Sequence, residues 1–143
     1  MSKVFLDTNI LIYATDQDEP EKQNACRAIL KQLQETNRSV ISTQVMQEFF
    51  VVATRKLGVN PLKAKRILQT FGNLEVVPVS PPLIYEAIDC SQQDQISFWD
   101  ALVLVCAESA RCDMILSEDL NDGQIIRGVK IQNPFTWRES MEG

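Results

Sequence analysis

Short apolar runs alternate along this chain with longer segments whose apolar residues recur at the spacing of an α-helix. The strand-like runs occupy residues 4–6, 39–42, 74–79, 114–116 and 129–131. The helical segments begin near residues 20, 43, 61, 81 and 98, and the second of them is predicted to end at residue 57. This alternation is typical of an α/β domain in which helices cover both faces of a mostly parallel sheet. Because 143 residues is the size of one such domain, a single domain over residues 1–143 is predicted.

The apolar segments are too short for a membrane-spanning helix. The longest run near a predicted helix covers residues 101–107, whereas a bilayer requires roughly 20 apolar residues. Asp7 interrupts the apolar run near the N-terminus, so the core of a signal peptide is missing there. These features predict a cytoplasmic protein without a membrane segment.

The residue types present restrict the chemistry. The chain has no histidine, and its cysteines form no C-x-x-C pair; they are Cys26, Cys90, Cys106 and Cys112. We therefore expect reduced thiols and no zinc site. The commonest general base at neutral pH is absent, together with every catalytic triad that contains histidine. Any reaction must use carboxylates, hydroxyls, thiols or metal ions.

The formal net charge of −5 argues against a protein that covers phosphates with a broad basic surface. This objection to a nucleic-acid substrate weakens if several acids are metal ligands. Bound divalent cations would neutralise those acids and attract phosphate oxygens directly.

Three carboxylates lie in segments that a fold would normally bury. Asp7 lies between VFL and TNILIYA, Glu48 in VMQEFFVVA and Asp100 in SFWDALVLVCA, and none of these segments contains a basic residue. Buried acids are rare unless a partner compensates their charge. Asp7 follows the first predicted strand, and Asp119 closely follows the strand that ends near Ser117. Both are expected at the carboxyl edge of the sheet, where ligands of such folds bind.

Each acid also has an ordinary structural interpretation. Asp7 could cap the helix that follows it, and Asp100 could belong to a capping box at the start of its helix. Glu48 could lie on a solvent-facing stripe of its helix. Asp119 and Asp122 could be solvated residues of a polar turn.

The acids are more informative as a set. Two follow strand ends and two lie in the first halves of helices, positions that can converge at one edge of a sheet. Clustered carboxylates repel one another unless hard cations hold them together. Because histidine and paired cysteines are absent, the pattern favours Mg²⁺ or Mn²⁺ over zinc or copper.

Four segments resemble the signature blocks of PIN domains, in particular those of VapC-like toxins of bacterial toxin–antitoxin systems. They are VFLDTNILIYATDQDEP, ISTQVMQEFFVVATRK, SFWDALVLVCAESA and MILSEDLNDGQIIRGVKIQNPF, and they cover almost the whole chain in the family's order. By this resemblance the metal-binding acids are Asp7, Glu48, Asp100 and Asp119, the supporting polar residues are Asn9 and Ser117, and Asp122 is an additional acidic candidate. The resemblance also implies a three-layer PIN-like fold with a five-stranded, mostly parallel sheet, a homodimer and a cognate antitoxin.

The activity that follows is divalent-metal-dependent hydrolysis of RNA phosphodiester bonds. Asp7, Asp100 and Asp119 are the first candidates for binding Mg²⁺ or Mn²⁺, while Glu48 would bind a second ion or orient the attacking water. Attack by water rather than by the ribose 2′-OH predicts 5′-phosphate and 3′-hydroxyl ends. The sequence does not decide between one ion and two.

Two other functions stay open. One is a phospho-aspartyl phosphatase or phosphotransferase with Asp7 as nucleophile, although Asn9 stands where a second acid is expected. The other is a non-catalytic module whose acidic edge binds a basic partner.

Three further groups have two interpretations each. A basic cluster could be a solvated surface or an RNA-backbone contact beside the acids; it consists of Arg55, Lys56, Lys63, Lys65 and Arg66. Phe98 and Trp99 could stack on a base but are predicted to belong to the core. Apolar residues within 49–53 and 62–68 could form a homodimer surface or belong to the core.

Overall fold

The computed structural model describes residues 2–137. Its strands are β1 (Lys3–Leu6), β2 (Ser39–Ser42), β3 (Glu75–Val77), β4 (Cys112–Leu116), β5 (Ile125–Ile126) and β6 (Val129–Gln132). Its α-helices are α1 (Thr8–Thr15), α2 (Pro20–Glu35), α3 (Thr43–Arg55), α4 (Pro61–Thr70), α5 (Pro81–Asp94) and α6 (Phe98–Ser109), and a short 3-10 helix follows α4 at Phe71–Asn73.

All six strands of the described chain join one sheet in the order β3-β2-β1-β4-β6-β5. Central strand β1 pairs in parallel with β2 and β4, which places Phe5 opposite Val40 and Leu6 opposite Leu116. The β2–β3 and β4–β6 pairs are also parallel. The predicted α/β fold, with a mostly parallel sheet flanked by helices, is confirmed.

The sheet has one strand more than the five expected. Ile125–Ile126 pairs antiparallel with β6 across a tight turn. The turn residues Arg127 and Gly128 both have positive φ, 52° and 77°, as a two-residue turn of type I′ requires. The five parallel strands therefore match the prediction, and a short hairpin extends one edge.

Two element ends differ from the predicted ones. The strand predicted over 74–79 stops at Val77, because Pro78 has no N–H to donate to the sheet. The N–H of Val79 instead donates to Thr43 Oγ1 at 3.0 Å. Helix α3 ends at Arg55 rather than at residue 57, shortly before Gly58, whose φ is +66°.

The hydrophobic core lies between the sheet and the helices. Helix α6 contributes a continuous buried segment, residues 101–107, and packs against α5 and β4. Phe5, Phe49 and Leu104 are among the largest fully buried side chains. Burial of each such side chain stabilises the fold by about 1.5–3 kcal/mol. The core therefore fixes the positions of the strands at whose ends the acids lie.

The four cysteines are buried free thiols, as predicted. Burial raises the pKa of Cys26 and Cys112 to about 12 and that of Cys106 to about 11. Because the thiolate is the reactive form, these cysteines are unsuited to nucleophilic chemistry.

None of the helices within residues 2–137 is long and apolar enough to cross a lipid bilayer.

Candidate active site

Asp7 and Ser117 lie side by side at the carboxyl edge of the sheet because the strands before them are paired in register at Leu6 and Leu116. Ser117 Oγ donates a hydrogen bond to Asp7 Oδ2 at 2.7 Å. The other oxygen, Asp7 Oδ1, accepts from the N–H of Thr8 at 2.8 Å and makes Asp7 the N-cap of α1. The capping interpretation of Asp7 is therefore correct, and it accounts for only one of its two oxygens.

Ser117 also fixes the turn that follows β4. Its fully buried hydroxyl accepts hydrogen bonds from the backbone N–H groups of Asp119 at 3.1 Å and Leu120 at 3.3 Å. A serine hydroxyl has one hydrogen to donate and two lone pairs, and all three are used here. One side chain thus connects Asp7 to the turn that carries Asp119.

Asn9 completes this side of the site. It lies in the first turn of α1, and its Nδ2 donates to Asp119 Oδ2 at 3.1 Å. Its Oδ1 is buried and has no hydrogen-bond donor among the described residues. A buried acceptor without a donor is costly, so this oxygen marks a place for a cation or a water molecule beside Asp119.

Glu48 approaches from helix α3, which begins at the Ser42 N-cap directly after β2. Its carboxylate accepts from Thr8 Oγ1 at 3.1 Å and from Gln44 Nε2 at 2.6 Å. Glu48 is exposed, in agreement with a solvent-facing stripe. Its bond to Thr8, the residue after Asp7, nevertheless holds it at the edge of the acidic site.

Asp100 reaches the same edge from helix α6. Because α6 leads into the start of β4, the first turn of α6 lies at the carboxyl ends of the strands. Ser97 is the N-cap, and its Oγ accepts from the Asp100 N–H at 3.1 Å. No residue within 2–137 donates a hydrogen bond to the Asp100 carboxylate, which lines a small cleft of about 70 Å³ together with Asp119.

The charges converge on Asp7. Its pKa is raised above the ordinary value, first by burial and then by the nearby negative charges of Asp119 and Glu48. The hydrogen bonds from Ser117 and Thr8 lower the pKa but do not cancel the increase. A carboxylate that is desolvated and faces like charges is stabilised by a bound cation.

The acidic side chains do not form a complete metal-binding site in this conformation. No group of three aspartate, glutamate or cysteine side chains within residues 2–137 is close enough to hold one metal ion. Asp7 and Asp119 share Ser117, Glu48 is linked through Thr8, and Asp100 shares only the cleft with Asp119. Side-chain movement would be needed to bring three of these carboxylates onto one ion.

Asp122 lies outside that cleft. The polar turn predicted around it is present, and its Oδ1 accepts from the N–H of Asn133 at 2.8 Å. The contact ties the turn to the segment after β6, which gives Asp122 a structural use.

The basic cluster is exposed and lies elsewhere. Lys56 and Lys63 line a different cleft, of about 330 Å³, together with Asp16 and Asp18, and this cleft shares no residue with the one that holds Asp100. This placement favours the solvated-surface interpretation.

The prediction for the aromatic pair is half wrong. Phe98 packs partly buried against the core, but Trp99 is 63% exposed.

Three hydrogen bonds around Glu118 were not predicted from the sequence. Tyr13 donates to Glu118 Oε1 at 2.5 Å, and Lys22 donates to Glu118 Oε2 at 3.3 Å and to the Tyr13 hydroxyl at 3.2 Å. This network anchors the residue between Ser117 and Asp119. It joins residues about a hundred positions apart, so local pattern could not reveal it.

The protein is an α/β domain with acidic side chains along the carboxyl edge of its parallel sheet. The PIN domain family model matches residues 4–122, and the chain belongs to that family. The matched segment contains Asp7, Glu48, Asp100 and Asp119. Strand β6 lies beyond it yet pairs with β4 in the same sheet.

Solved structures with the same fold come from several bacteria. A DNA-bound VapBC from Salmonella typhimurium has a TM-score of 0.68 and 19% identity, covering 94% of this chain and 99% of that chain. A toxin–antitoxin complex from Klebsiella pneumoniae has a TM-score of 0.67 and 19% identity, covering 92% and 98%. VapC20 of Mycobacterium tuberculosis, a sarcin–ricin loop cleaving toxin, has a TM-score of 0.64 and 16% identity, covering 82% and 90%. A search of curated protein sequences gives no significant match.

Proposed function

We propose that this protein is a divalent-metal-dependent ribonuclease and the toxin of a toxin–antitoxin pair. The observation that carries the proposal is the linkage of Asp7, Ser117 and Asp119 at the sheet edge of a PIN domain, with Glu48 and Asp100 alongside. The fold shared with a sarcin–ricin loop cleaving toxin supports an RNA substrate. One nuclease domain over residues 1–143 and a cytoplasmic location stay predictions.

The residues present suit a hard cation. The candidate ligands are all oxygen atoms, as Mg²⁺ and Mn²⁺ prefer. Burial and neighbouring charges raise the Asp7 pKa, so a positive charge would be stabilised there. Asn9 Oδ1, to which no residue within 2–137 donates a hydrogen bond, offers a further buried oxygen beside Asp119.

Asp7, Asp100 and Asp119 would hold the ion, and Glu48 would bind a second ion or orient the attacking water. Bound there, Mg²⁺ or Mn²⁺ would polarise a phosphate oxygen and lower the pKa of a coordinated water. Ser117 would hold the Asp7 carboxylate in place, and Asn9 would hold that of Asp119. Such positioning contacts typically contribute 10–100-fold to metal affinity or activity.

A phospho-aspartyl mechanism is less well supported. Both oxygens of Asp7 already accept hydrogen bonds, one from Thr8 and one from Ser117, which reduces their freedom to attack phosphorus. Asn9 occupies the position of the second acid that such an enzyme would need, and it binds Asp119 instead.

The test is incubation of the purified protein with total RNA in Mg²⁺ or Mn²⁺, with the new ends mapped. We expect cleavage that leaves 5′-phosphate and 3′-hydroxyl ends, stops in EDTA and survives mild disulfide reductants. Asp100→Asn, with cleavage reduced about a hundredfold, serves as the control. Cyclic phosphate ends, or full activity in EDTA, would contradict the metal-dependent mechanism, and no turnover with any divalent ion would favour the non-catalytic module.

The antitoxin is the second part of the proposal. We expect a small protein that covers the acidic edge and inserts a basic side chain among the carboxylates. The net charge of −5 suits such a partner. Co-expression with the neighbouring gene product should suppress both RNA cleavage and growth inhibition; if it suppresses neither, the toxin assignment fails while the nuclease assignment stands.

A homodimer is also proposed. Of the predicted segments, Phe49, Ala53 and Ala64 belong to the core, whereas Phe50 and Leu62 are exposed and available for an interface. Light scattering at micromolar concentration should give the mass of a dimer. A monomeric mass would contradict this.

A further inference from the structure

Trp99 is held in place but left open to solvent. It is 63% exposed, although the residues that follow Asp100 in helix α6 are buried. The edge contact with Phe98, at 5.1 Å between ring centroids and 76° between planes, restricts the indole. Leaving so large an aromatic surface in water forgoes much of the stabilisation that burial would give. Exposure alone assigns no function, since Tyr85 is 65% exposed, so the surroundings of Trp99 decide its role.

Trp99 forms one side of a groove that adjoins the acidic site. The groove is about 570 Å³, within the range of ligand-binding pockets, and is lined by Gln44, Gln47, Glu48, Val51, Val52 and Trp99. Glu48 is one of the proposed site acids, and Trp99 directly precedes another, Asp100. The groove therefore opens beside the place where a scissile phosphate would lie.

We propose that this groove receives one unpaired base of the RNA substrate, stacked on the face of Trp99. The inference rests on the proposed ribonuclease function. None of the groove-lining residues is basic, so the groove is suited to a base rather than to the phosphate backbone. An indole face and the aliphatic side chains of Val51 and Val52 offer apolar contact, and the amides of Gln44 and Gln47 can hydrogen-bond to a base edge.

Stacking on aromatic side chains is the usual way in which proteins hold single-stranded RNA. A paired base is already stacked within its helix and could not enter the groove. The groove therefore selects loops or single strands around the cleaved bond. By alanine substitution, one stacked base contributes roughly 5- to 150-fold to affinity.

Binding can be followed without cleavage. In a Trp137→Phe protein the indole emission comes from Trp99 alone. We expect a short single-stranded RNA, added with Ca²⁺ in place of Mg²⁺ and checked for integrity on a gel, to quench this emission. The same sequence as a duplex should not quench it. No quenching by single-stranded RNA would overturn the proposal.

The cleavage assay supplies an independent test. Trp99→Ala should raise KM for single-stranded RNA roughly tenfold or more with a smaller change in kcat, and Trp99→Phe should restore most of the loss. Tyr85→Ala is the matched control, since Tyr85 is an aromatic side chain of similar exposure, 65%, outside the groove. Equal KM values for wild type and Trp99→Ala would overturn the stacking role.

The two assays separate this inference from the proposed function. Quenching without cleavage in any divalent metal would support stacking while the ribonuclease proposal fails. Cleavage with no effect of Trp99→Ala would do the reverse. If Trp99→Ala abolishes inhibition by a protein partner but leaves RNA affinity unchanged, the groove is a protein-docking surface and the stacking proposal is wrong.

Discussion

The acidic edge, which consists of Asp7, Asp119, Glu48 and Asp100, has two sides that are fixed by different contacts. On the strand side, Asp7 and Asp119 follow neighbouring paired strands and share the buried hydroxyl of Ser117. On the helix side, Glu48 and Asp100 project from α3 and α6. Glu48 reaches the strand side through Thr8, while the Asp100 carboxylate accepts no hydrogen bond from the described part of the chain.

This difference separates candidate ligands that the fold fixes from Asp100, whose carboxylate accepts no hydrogen bond from the described residues. The strand side is set by sheet register and backbone hydrogen bonds, so it is in place before any cation arrives. The helix side depends on where α3 and α6 pack: Thr8 and Gln44 hold the Glu48 carboxylate, whereas no residue of the described chain donates a hydrogen bond to the Asp100 carboxylate. We therefore expect substitutions on the two sides to affect metal-free stability and metal binding differently.

The largest effect should come from Asp7, at the centre of the strand side. Asp7→Asn should reduce RNA cleavage by about a thousandfold or more, since a ligand charge is lost where charge stabilisation dominates. Asparagine is itself a good helix cap, so α1 should persist. Gel-based cleavage rates for wild type and variant measure the loss.

The same variant tests the electrostatics of the metal-free protein. Because the folded-state pKa of Asp7 is raised above 3.8, the folded state binds its proton more tightly than the unfolded chain does. Wild-type stability therefore decreases as the pH rises through the raised pKa. In EDTA at about pH 7, Asp7→Asn should unfold at a higher temperature than wild type, and the difference should vanish below the unfolded-state pKa. A variant less stable than wild type at neutral pH would contradict this.

On the helix side, the change should appear in the response to metal. With Mn²⁺ at a hundredfold excess over Kd, wild type should gain about 2.7 kcal/mol of unfolding free energy. Asp100→Asn should lose most of that gain and about a hundredfold in cleavage rate, while its metal-free stability stays equal or rises. Thermal unfolding with and without Mn²⁺ measures both quantities.

Capping alone predicts another outcome for Asp100. Its N–H, rather than its carboxylate, binds Ser97, so asparagine should leave the cap intact. Equal Mn²⁺-induced shifts in wild type and Asp100→Asn would remove Asp100 from the metal site. Glu48→Gln provides the comparison on α3, where both carboxylate oxygens already accept hydrogen bonds.

The contact that unites the strand side can be removed by Ser117→Ala. The substitution leaves Asp7 Oδ2 and two backbone N–H groups without their partner, at a cost of about 1–3 kcal/mol in unfolding free energy. Activity should decrease about 10–100-fold. Ser91→Ala is a matched control, because Ser91 is a buried serine that donates only to a carbonyl of its own helix. Equal losses of activity in both variants would contradict a local role for Ser117.

The fold was largely predictable because its signals are local. Apolar runs marked the parallel strands, and prolines at the starts of α2, α4 and α5 marked the helices. The helical periodicity did not include the short helix α1, which only the capping interpretation of Asp7 implied. The sequence pattern also missed the two-residue strand β5 and the early end of β3 at Pro78. Strand β5 depends on pairing across the sheet, and the end of β3 depends on the N–H that proline lacks.

The site was predictable in part. The position of acids within apolar sequence segments pointed to Asp7, Glu48 and Asp100, and the parallel sheet places Asp7 and Asp119 at one edge. The sequence could not show that Thr8 would bind Glu48, because that contact depends on how α1 packs against α3. Nor could it show that Trp99 would be exposed, since its neighbours along the helix are buried.

The smallest expected effect concerns the network behind the strand side. Tyr13 and Lys22 both bind Glu118, which separates Ser117 from Asp119 in the chain. The hydrogen bond to Glu118 raises the pKa of Tyr13, so its hydroxyl stays a donor at neutral pH. Tyr13→Phe should keep the edge contact with Phe135 and lose only that hydroxyl.

We expect Tyr13→Phe to cost about 1 kcal/mol of stability and to lower the cleavage rate a few-fold, by loosening the turn that positions Asp119. The Mn²⁺-induced shift should stay close to that of wild type, since no proposed ligand is removed. Lys3→Met, which breaks the Lys3–Glu75 surface ion pair, is the control and should leave activity unchanged. If Tyr13→Phe cleaves RNA at the wild-type rate, Ser117 and Asn9 alone hold the turn that carries Asp119. The hydrogen bond from Tyr13 to Glu118 would then have no part in positioning the site.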